Sequence, residues 1–245
     1  MYKKQETFYY EKSKAYDLPV FRARMMGPNP VKLTEELMKY NRTPVGARVL
    51  DLGCGMGVTS VFLAEQYAFE VYAADLWNDP GENRKFFSER NLDESRIRAV
   101  KADATDLPFG REFFDAVVCT DSYNYFGRDV NYLDDKLLPF LKRGGYVYLC
   151  IAGMKNGLRG NYPRELTLSW TEEQLDYIRD LEYWKETVGK SKDAEIVVAE
   201  EMVSNREVWE DWIGQDNDYA RGDAKAIRAG ACRYLNFLAF VLKKI

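Results

Sequence analysis

Residues 49–57 read Val49-Leu50-Asp51-Leu52-Gly53-Cys54-Gly55-Met56-Gly57, an apolar run closing in three alternate glycines. Glycines at such a turn let the backbone bend sharply and let a ligand come close to the main chain. Eighteen residues after Gly57, Asp75 ends the next apolar run, followed by Leu76 and Trp77. A carboxylate placed there can accept hydrogen bonds from both hydroxyls of a ribose. Two more acids fall at equivalent points: Asp103 in Lys101-Ala102-Asp103-Ala104, and Asp121 in Thr120-Asp121-Ser122. Asp103 can meet an adenine amino group. Asp51, just before the glycines, can face a ligand ammonium and would be unwelcome beside a pyrophosphate. Four carboxylates at four run ends suit a cationic, adenosine-bearing ligand, such as a sulfonium with an amino-acid tail. Each acid also has a plainer reading: Asp51 orienting the turn, Asp75 and Asp103 capping the next stretch of chain. Trp77 stacks on adenine or covers a sheet edge.

The elements needed to hold these residues are visible in the same stretch. Apolar runs at 48–52, 70–75, 97–102, 114–119 and 146–151 read as strands. Helical patterns lie between them, at 29–41, after Gly57, at about 81–90 and at about 130–141. Strand and helix alternating in this way predict a parallel sheet covered on both faces. Continuous apolar character fits burial on both sides. Further on, Thr171 with Glu172 and Glu173 predicts a helix to about Leu181. Residues 195–202 read as a sixth strand, and 234–242 as a seventh. The roughly thirty residues between them are long for a loop. They read as an inserted helical cap, with Asn205 capping a helix that carries Trp209 and Trp212.

With these pieces in order, the sequence resembles the class I S-adenosylmethionine (SAM) dependent methyltransferase superfamily. The matching segments are the DLGCGMG turn, Asp75, KADATDLPF, FDAVVCTDS and LLPFLKRGGYVYL, over about 45–151. The small-molecule branch is most similar, including the ubiquinone and menaquinone biosynthesis C-methyltransferases. The resemblance implies an α/β fold: a Rossmann-like, seven-stranded, mostly parallel sheet, helices on both faces, the last strand antiparallel beside the fifth, plus helical cap elements. It implies SAM as cofactor, with S-adenosylhomocysteine (SAH) as product, and a small-molecule acceptor. Gly53, Gly55 and Gly57 would line the methionine and ribose region, and Asp75 with Leu76 the ribose. Asp103 and Ala104 would meet adenine, and Thr120 and Asp121 the amino-acid end. Substrate residues do not carry over.

The chain contains no histidine, which removes Ser-His-Asp and Cys-His catalysis, a His base and His-rich zinc sites. Should methyl transfer need a base, Asp121 and Tyr123 are the candidates; otherwise proximity alone suffices. Tyr123 and Tyr125 either shape an acceptor pocket or pack a cap. No metal ligand cluster is visible. The four cysteines form no CxxC pair and read as reduced thiols. Two alternatives stay open: a non-catalytic SAM- or SAH-binding protein, and a nicotinamide-dependent oxidoreductase. Against the second, the position three after Gly55 is Val58, so the Gly-x-Gly-x-x-Gly spacing is broken.

At 245 residues the chain reads as a single domain, with a lid segment at 1–28, a cofactor core at 45–151 and a C-terminal half at 152–245 carrying its helical insertion at about 204–232. Phe8, Tyr9, Tyr10 and Tyr16 make the first segment aromatic; Arg22 and Arg24 bind an acidic substrate or are solvated. A net charge of −4 with mixed signs disfavours nucleic acid as a partner. A second copy of the chain remains an open partner. No apolar run has the length of a membrane span, and the residues after Tyr2 are too polar for a secretory signal. These features predict a cytoplasmic protein.

Overall fold

The computed structural model describes residues 7–245. Seven strands form one sheet: β1 (Arg48–Leu52), β2 (Glu70–Asp75), β3 (Ile97–Lys101), β4 (Phe114–Thr120), β5 (Leu141–Met154), β6 (Ala194–Glu201) and β7 (Leu235–Lys244). Their order is β3-β2-β1-β4-β5-β7-β6. The first five strands run parallel. β7 lies antiparallel between β5 and β6, from Tyr146 opposite Lys243 to Met154 opposite Leu235. The order reverses between β1 and β4, and an open α/β sheet leaves a crevice at such a point, beyond the carboxyl ends of its strands.

Alternation along each strand divides the core between the two faces. Val49, Val71, Val118 and Tyr148 belong to one cluster, Leu50, Val117, Leu149 and Phe240 to the other. Helices cover the faces: α1 (Pro19–Arg22), α2 (Pro30–Leu37), α3 (Val58–Tyr67), α4 (Pro80–Glu89) and α5 (Tyr123–Phe126). After β5 come α6 (Arg164–Thr167), α7 (Glu172–Leu175) and α8 (Leu181–Val188); α9 (Arg206–Ile213) and α10 (Asp218–Ala229) fill the gap between β6 and β7. α2 starts where Asn29 accepts hydrogen bonds from the Val31 and Lys32 amides and Pro30 supplies the first turn. Asn29 also donates to Asp211 (2.8 Å), and Lys32 pairs with the same carboxylate (2.7 Å), so α9 is tied against α2.

Four expectations need correction. Asn205 precedes α9 but its side chain does not cap it, donating instead to the carbonyls of Cys232 (2.9 Å) and Leu235 (3.0 Å). The helix expected at 130–141 is a single wide turn at Leu133–Leu137 and a tight one at Leu138–Phe140. Pro139 has no amide to continue an α-helix, though it is accepted in the first turn of the tight one. The fifth strand begins at Leu141 rather than Tyr146, because a register shift opposite Phe114–Ala116 absorbs Arg143-Gly144-Gly145 within the strand. The helix expected over 171–181 is the short α7, followed by a separate α8. Thr171 caps α7 with Gln174 in a reciprocal box, and Asp180 caps α8 by accepting from the Tyr183 amide.

Candidate functional site

A cavity of about 350 Å³ opens where β1, β2 and β4 end. Its wall includes Gly53, Gly55, Asp75, Leu76, Asp103, Ala104 and Asp121. A smaller hollow continues past Gly53 and Gly55 to Thr120 and Arg24, with Asp121 on both. Residues scattered over seventy positions of sequence thus meet at one crevice, because each sits at a strand's carboxyl end.

The turn is built from residues that need no side chain. Gly53 has φ +74°, and a Cβ there would lie 2.2 Å from the Ser122 hydroxyl. Gly55 has φ +54°, with the Met26 sulfur 3.1 Å from where its Cβ would stand. Gly57 serves a different purpose: it begins α3 at φ +81°, and a Cβ would strike the Phe87 ring at 2.6 Å. It lets α4 pack close and is not part of the cavity wall.

Asp75 stitches the turn to the tip of β2. One carboxylate oxygen accepts from the Gly55 amide (2.9 Å), the other from the amides of Trp77 (2.9 Å) and Asn78 (2.8 Å). The Asn78 side-chain amide adds a further bond at 2.9 Å. Asp103 accepts from the amide and hydroxyl of Thr105, which hold its carboxyl below the usual carboxylate range. Leu76 and Trp77 stand out from the surface, Trp77 69% exposed, with its ring edge-on to Tyr125 at 5.9 Å.

Asp51 is turned away from the crevice. It is only 1% exposed and accepts from the hydroxyls of Thr59 (2.6 Å) and Ser60 (2.5 Å), on the first turn of α3. Burial pushes its carboxyl up to about 6, against the pull of those hydroxyls. The expectation that Asp51 faces a ligand ammonium is therefore replaced by the plainer one, an acid that fixes the turn to its helix.

Asp121 is the opposite case. Its backbone is left-handed (φ +57°), rare for a side chain with a Cβ, and its amide donates to the Cys150 carbonyl at 2.8 Å. Its carboxylate has no hydrogen-bond donor among the described residues and lies 3.0 Å from where a Cβ on Gly27 would stand. Burial, then the nearby Asp223 carboxylate on α10, pushes it up to about 7. Asp223 is itself raised by burial and accepts from the Trp212 indole at 2.8 Å. Tyr123, the other candidate base, is 1% exposed and packs on Phe126, Tyr132 and Trp184. Burial raises its phenol well above the ordinary value, and it is absent from the cavity wall.

Several contributors had weak or no sequence signal. Met26 reaches the wall from the loop before α2, and Arg24 donates to the Met56 carbonyl at 3.2 Å. The expected lid segment therefore touches the site through residues 24–27; its residues 1–6 lie outside the described residues. Ser122 donates to the Leu52 carbonyl (3.1 Å) and ties β4 to β1. Asp223 comes from the inserted helices, where nothing in its neighbourhood of sequence marks it. Among the described residues no three acids or cysteines gather as a metal site, and no helix is long and apolar enough to cross a membrane.

The comparisons agree with this geometry. Residues 49–145 match the family model described as a methyltransferase domain. The chain is similar to a demethylmenaquinone methyltransferase of Clavibacter sepedonicus, 39% identical over 106 residues, which are 43% of this chain and 41% of that one. It is also similar to a fatty-acid O-methyltransferase of Mycolicibacterium smegmatis, 34% identical over 101 residues, 41% of this chain and 35% of the other. The similarity thus spans less than half the length of both relatives. In structure it is similar to geranyl diphosphate C-methyltransferase of Streptomyces coelicolor A3(2), solved with Mg2+, geranyl diphosphate and SAH. There the TM-score is 0.69 at 13% identity, covering 96% of this chain and 97% of that one, a likeness of fold.

Proposed function

We propose, from the premise that residues 49–145 form a class I SAM-dependent methyltransferase domain, that the chain transfers a methyl group from SAM to a small-molecule acceptor and releases SAH. The observation that carries this reading is the single crevice where the glycine turn, Asp75, Asp103 and Asp121 meet. The residues fit the cofactor. Gly53 and Gly55 leave the backbone bare where a side chain would block approach. Asp75 offers oxygens to ribose hydroxyls, Asp103 and Ala104 face the adenine end, and the Thr120–Asp121 backbone faces the amino-acid end. When bound, the sulfonium supplies an activated methyl group, so the protein's task is alignment and exclusion of water. Trp77, Tyr125 and Met26 form the apolar rim that does this.

Asp121 is the group placed to take a proton. A carboxyl near 7 is partly ionised at neutral pH and accepts a proton from an acceptor O–H, N–H or activated C–H as the new bond forms. The two curated relatives are named for different acceptors, one a demethylmenaquinone and one a fatty acid. The acceptor we propose is accordingly a small molecule. The reading is tested by calorimetric titration with SAM, SAH and NAD, on the wild type and on Asp75→Ala. Micromolar SAH binding that Asp75→Ala weakens at least tenfold supports it; preference for NAD, or no SAH binding, sinks it.

A further inference from the structure

We propose that the segment after β5 forms a second binding site, for a small oxyanion such as a phosphate or carboxylate group. A separate cavity of about 130 Å³ lies between the end of β5 and the start of α8. Lys155, Arg159 and Arg179 line it, together with Asp180, whose carboxylate is engaged as the cap of α8. Arg179 is 9% exposed, and its Nε has no hydrogen-bond partner among the described residues. A buried guanidinium N–H left unpaired is costly, and such an atom in a native site points to an absent partner. The rest of that guanidinium is held in place: Nη2 donates to Asp176 at 2.9 Å, and its central carbon sits over the Tyr183 ring, 4.9 Å from the ring centre.

The charges around this cavity do not balance. Asp176 is shared by three guanidiniums, Arg179 at 2.9 Å, Arg159 at 3.4 Å and Arg128 at 3.9 Å. Among the residues that line the cavity, Lys155, Arg159 and Arg179 are cations against the single acid Asp180. Guanidiniums in a fixed fork match the oxygens of phosphate or carboxylate. The cavity has room for one such group.

A row of rings joins this site to the crevice. Arg128 covers the Tyr177 ring at 3.8 Å, Tyr177 packs on Tyr125 at 5.9 Å, and Tyr125 lines the crevice. The oxyanion can therefore be free in solution or carried on an aromatic molecule lying along those rings. The anion site needs no cofactor, so it stands independently of methyl transfer.

The test is calorimetric titration of the full chain, without cofactor, with inorganic phosphate at ionic strength fixed by chloride. Saturable binding in the millimolar range or tighter is expected, weakened at least tenfold in Lys155→Ala/Arg159→Ala. Both residues are exposed, so that variant retains its fold, checked by an unchanged thermal midpoint without phosphate. Absence of saturable binding, or binding that the double variant keeps, overturns the site. Phenyl phosphate separates the sources. Tighter binding than inorganic phosphate, with the gain lost in Tyr177→Ala, supports a ring-borne anion, and equal binding supports free phosphate. Loss of phosphate binding with SAH binding intact would leave the methyl-transfer reading standing.

Discussion

The two sides of the crevice treat their carboxylates differently. On the side of β1, β2 and β3, every acid is occupied by donors from its own neighbourhood: Asp51 by Thr59 and Ser60, Asp75 by Gly55, Trp77 and Asn78, Asp103 by Thr105. These acids hold backbone in place, and a ligand meets a preformed surface. On the side of β4, Asp121 stands on strained backbone without a donor and faces a second acid, Asp223. A charge already hydrogen-bonded positions things; a charge without partners is free to exchange a proton. Under the proposed function, scaffold falls to one side and chemistry to the other.

The strongest way to break that contrast is Asp121→Asn. Loss of a general base costs about 10²- to 10⁴-fold in rate. We expect kcat to fall at least a hundredfold, while SAH affinity changes by less than about fivefold. In the wild type the rate should rise with pH through about 7, as Asp121 loses its proton, and the variant should lack that inflection. Stability should move the other way. The folded-state value lies above the unfolded 3.8, so the favourable contribution is full below about 4 and is lost as pH rises through about 7. At pH 8 the Asn variant should be the more stable protein in urea unfolding, and the difference should shrink as the pH falls below 7. An Asn variant that keeps wild-type kcat moves the proton elsewhere or nowhere.

On the scaffold side, Gly53→Ala should abolish the close approach. The added Cβ meets Ser122 on backbone unsuited to it, at φ +74°. SAH affinity should fall about a hundredfold, equivalent to about 3 kcal/mol. A loss smaller than threefold would show that the turn is not where the cofactor lies. Asp51→Ala should act on folding instead. Two buried hydroxyls lose their acceptor, at about 1–3 kcal/mol in stability. The urea midpoint reports this, and the fraction that remains folded should bind SAH nearly normally. A folded Asp51→Ala protein unable to bind would return Asp51 to the ligand.

The same division explains what could be read from the sequence. Gly53, Gly55, Asp75, Leu76, Asp103 and Ala104 line the crevice because strand ends and glycine turns are local features with local signals. The parallel sheet followed from the alternation of elements, and the antiparallel last strand beside the fifth from the resemblance; the full strand order came only with the structure. What sequence missed depends on chain segments distant from one another. Met26 reaches the cavity across a loop, Asp223 acts on Asp121 through its charge from an inserted helix, and Asp51 points inward because α3 offers it two hydroxyls. Nothing near residue 223 in sequence marks it as a neighbour of residue 121. Likewise the excess of cations around Asp176 arises from residues 128 to 179, brought together only by folding.

The smallest expected effect is the most useful for separating the neighbours on β4 and α5. Tyr123 lies two residues from Asp121, and by type alone it competes for the same role. Its ring, however, is enclosed by Phe126, Tyr132 and Trp184, and Gly127 is glycine because a Cβ would lie 2.2 Å from it. A phenol so placed cannot reach an acceptor in the crevice, and burial disfavours its ionised form. Tyr123→Phe removes one oxygen and keeps the packing. We expect kcat and KM within about threefold of wild type, where a base would cost at least a hundredfold. The pH inflection near 7 should persist, because Asp121 is untouched. Side-by-side rate profiles of Tyr123→Phe and Asp121→Asn therefore test one claim from two directions: a deep loss in the first with a mild one in the second would reverse the assignment of scaffold and base.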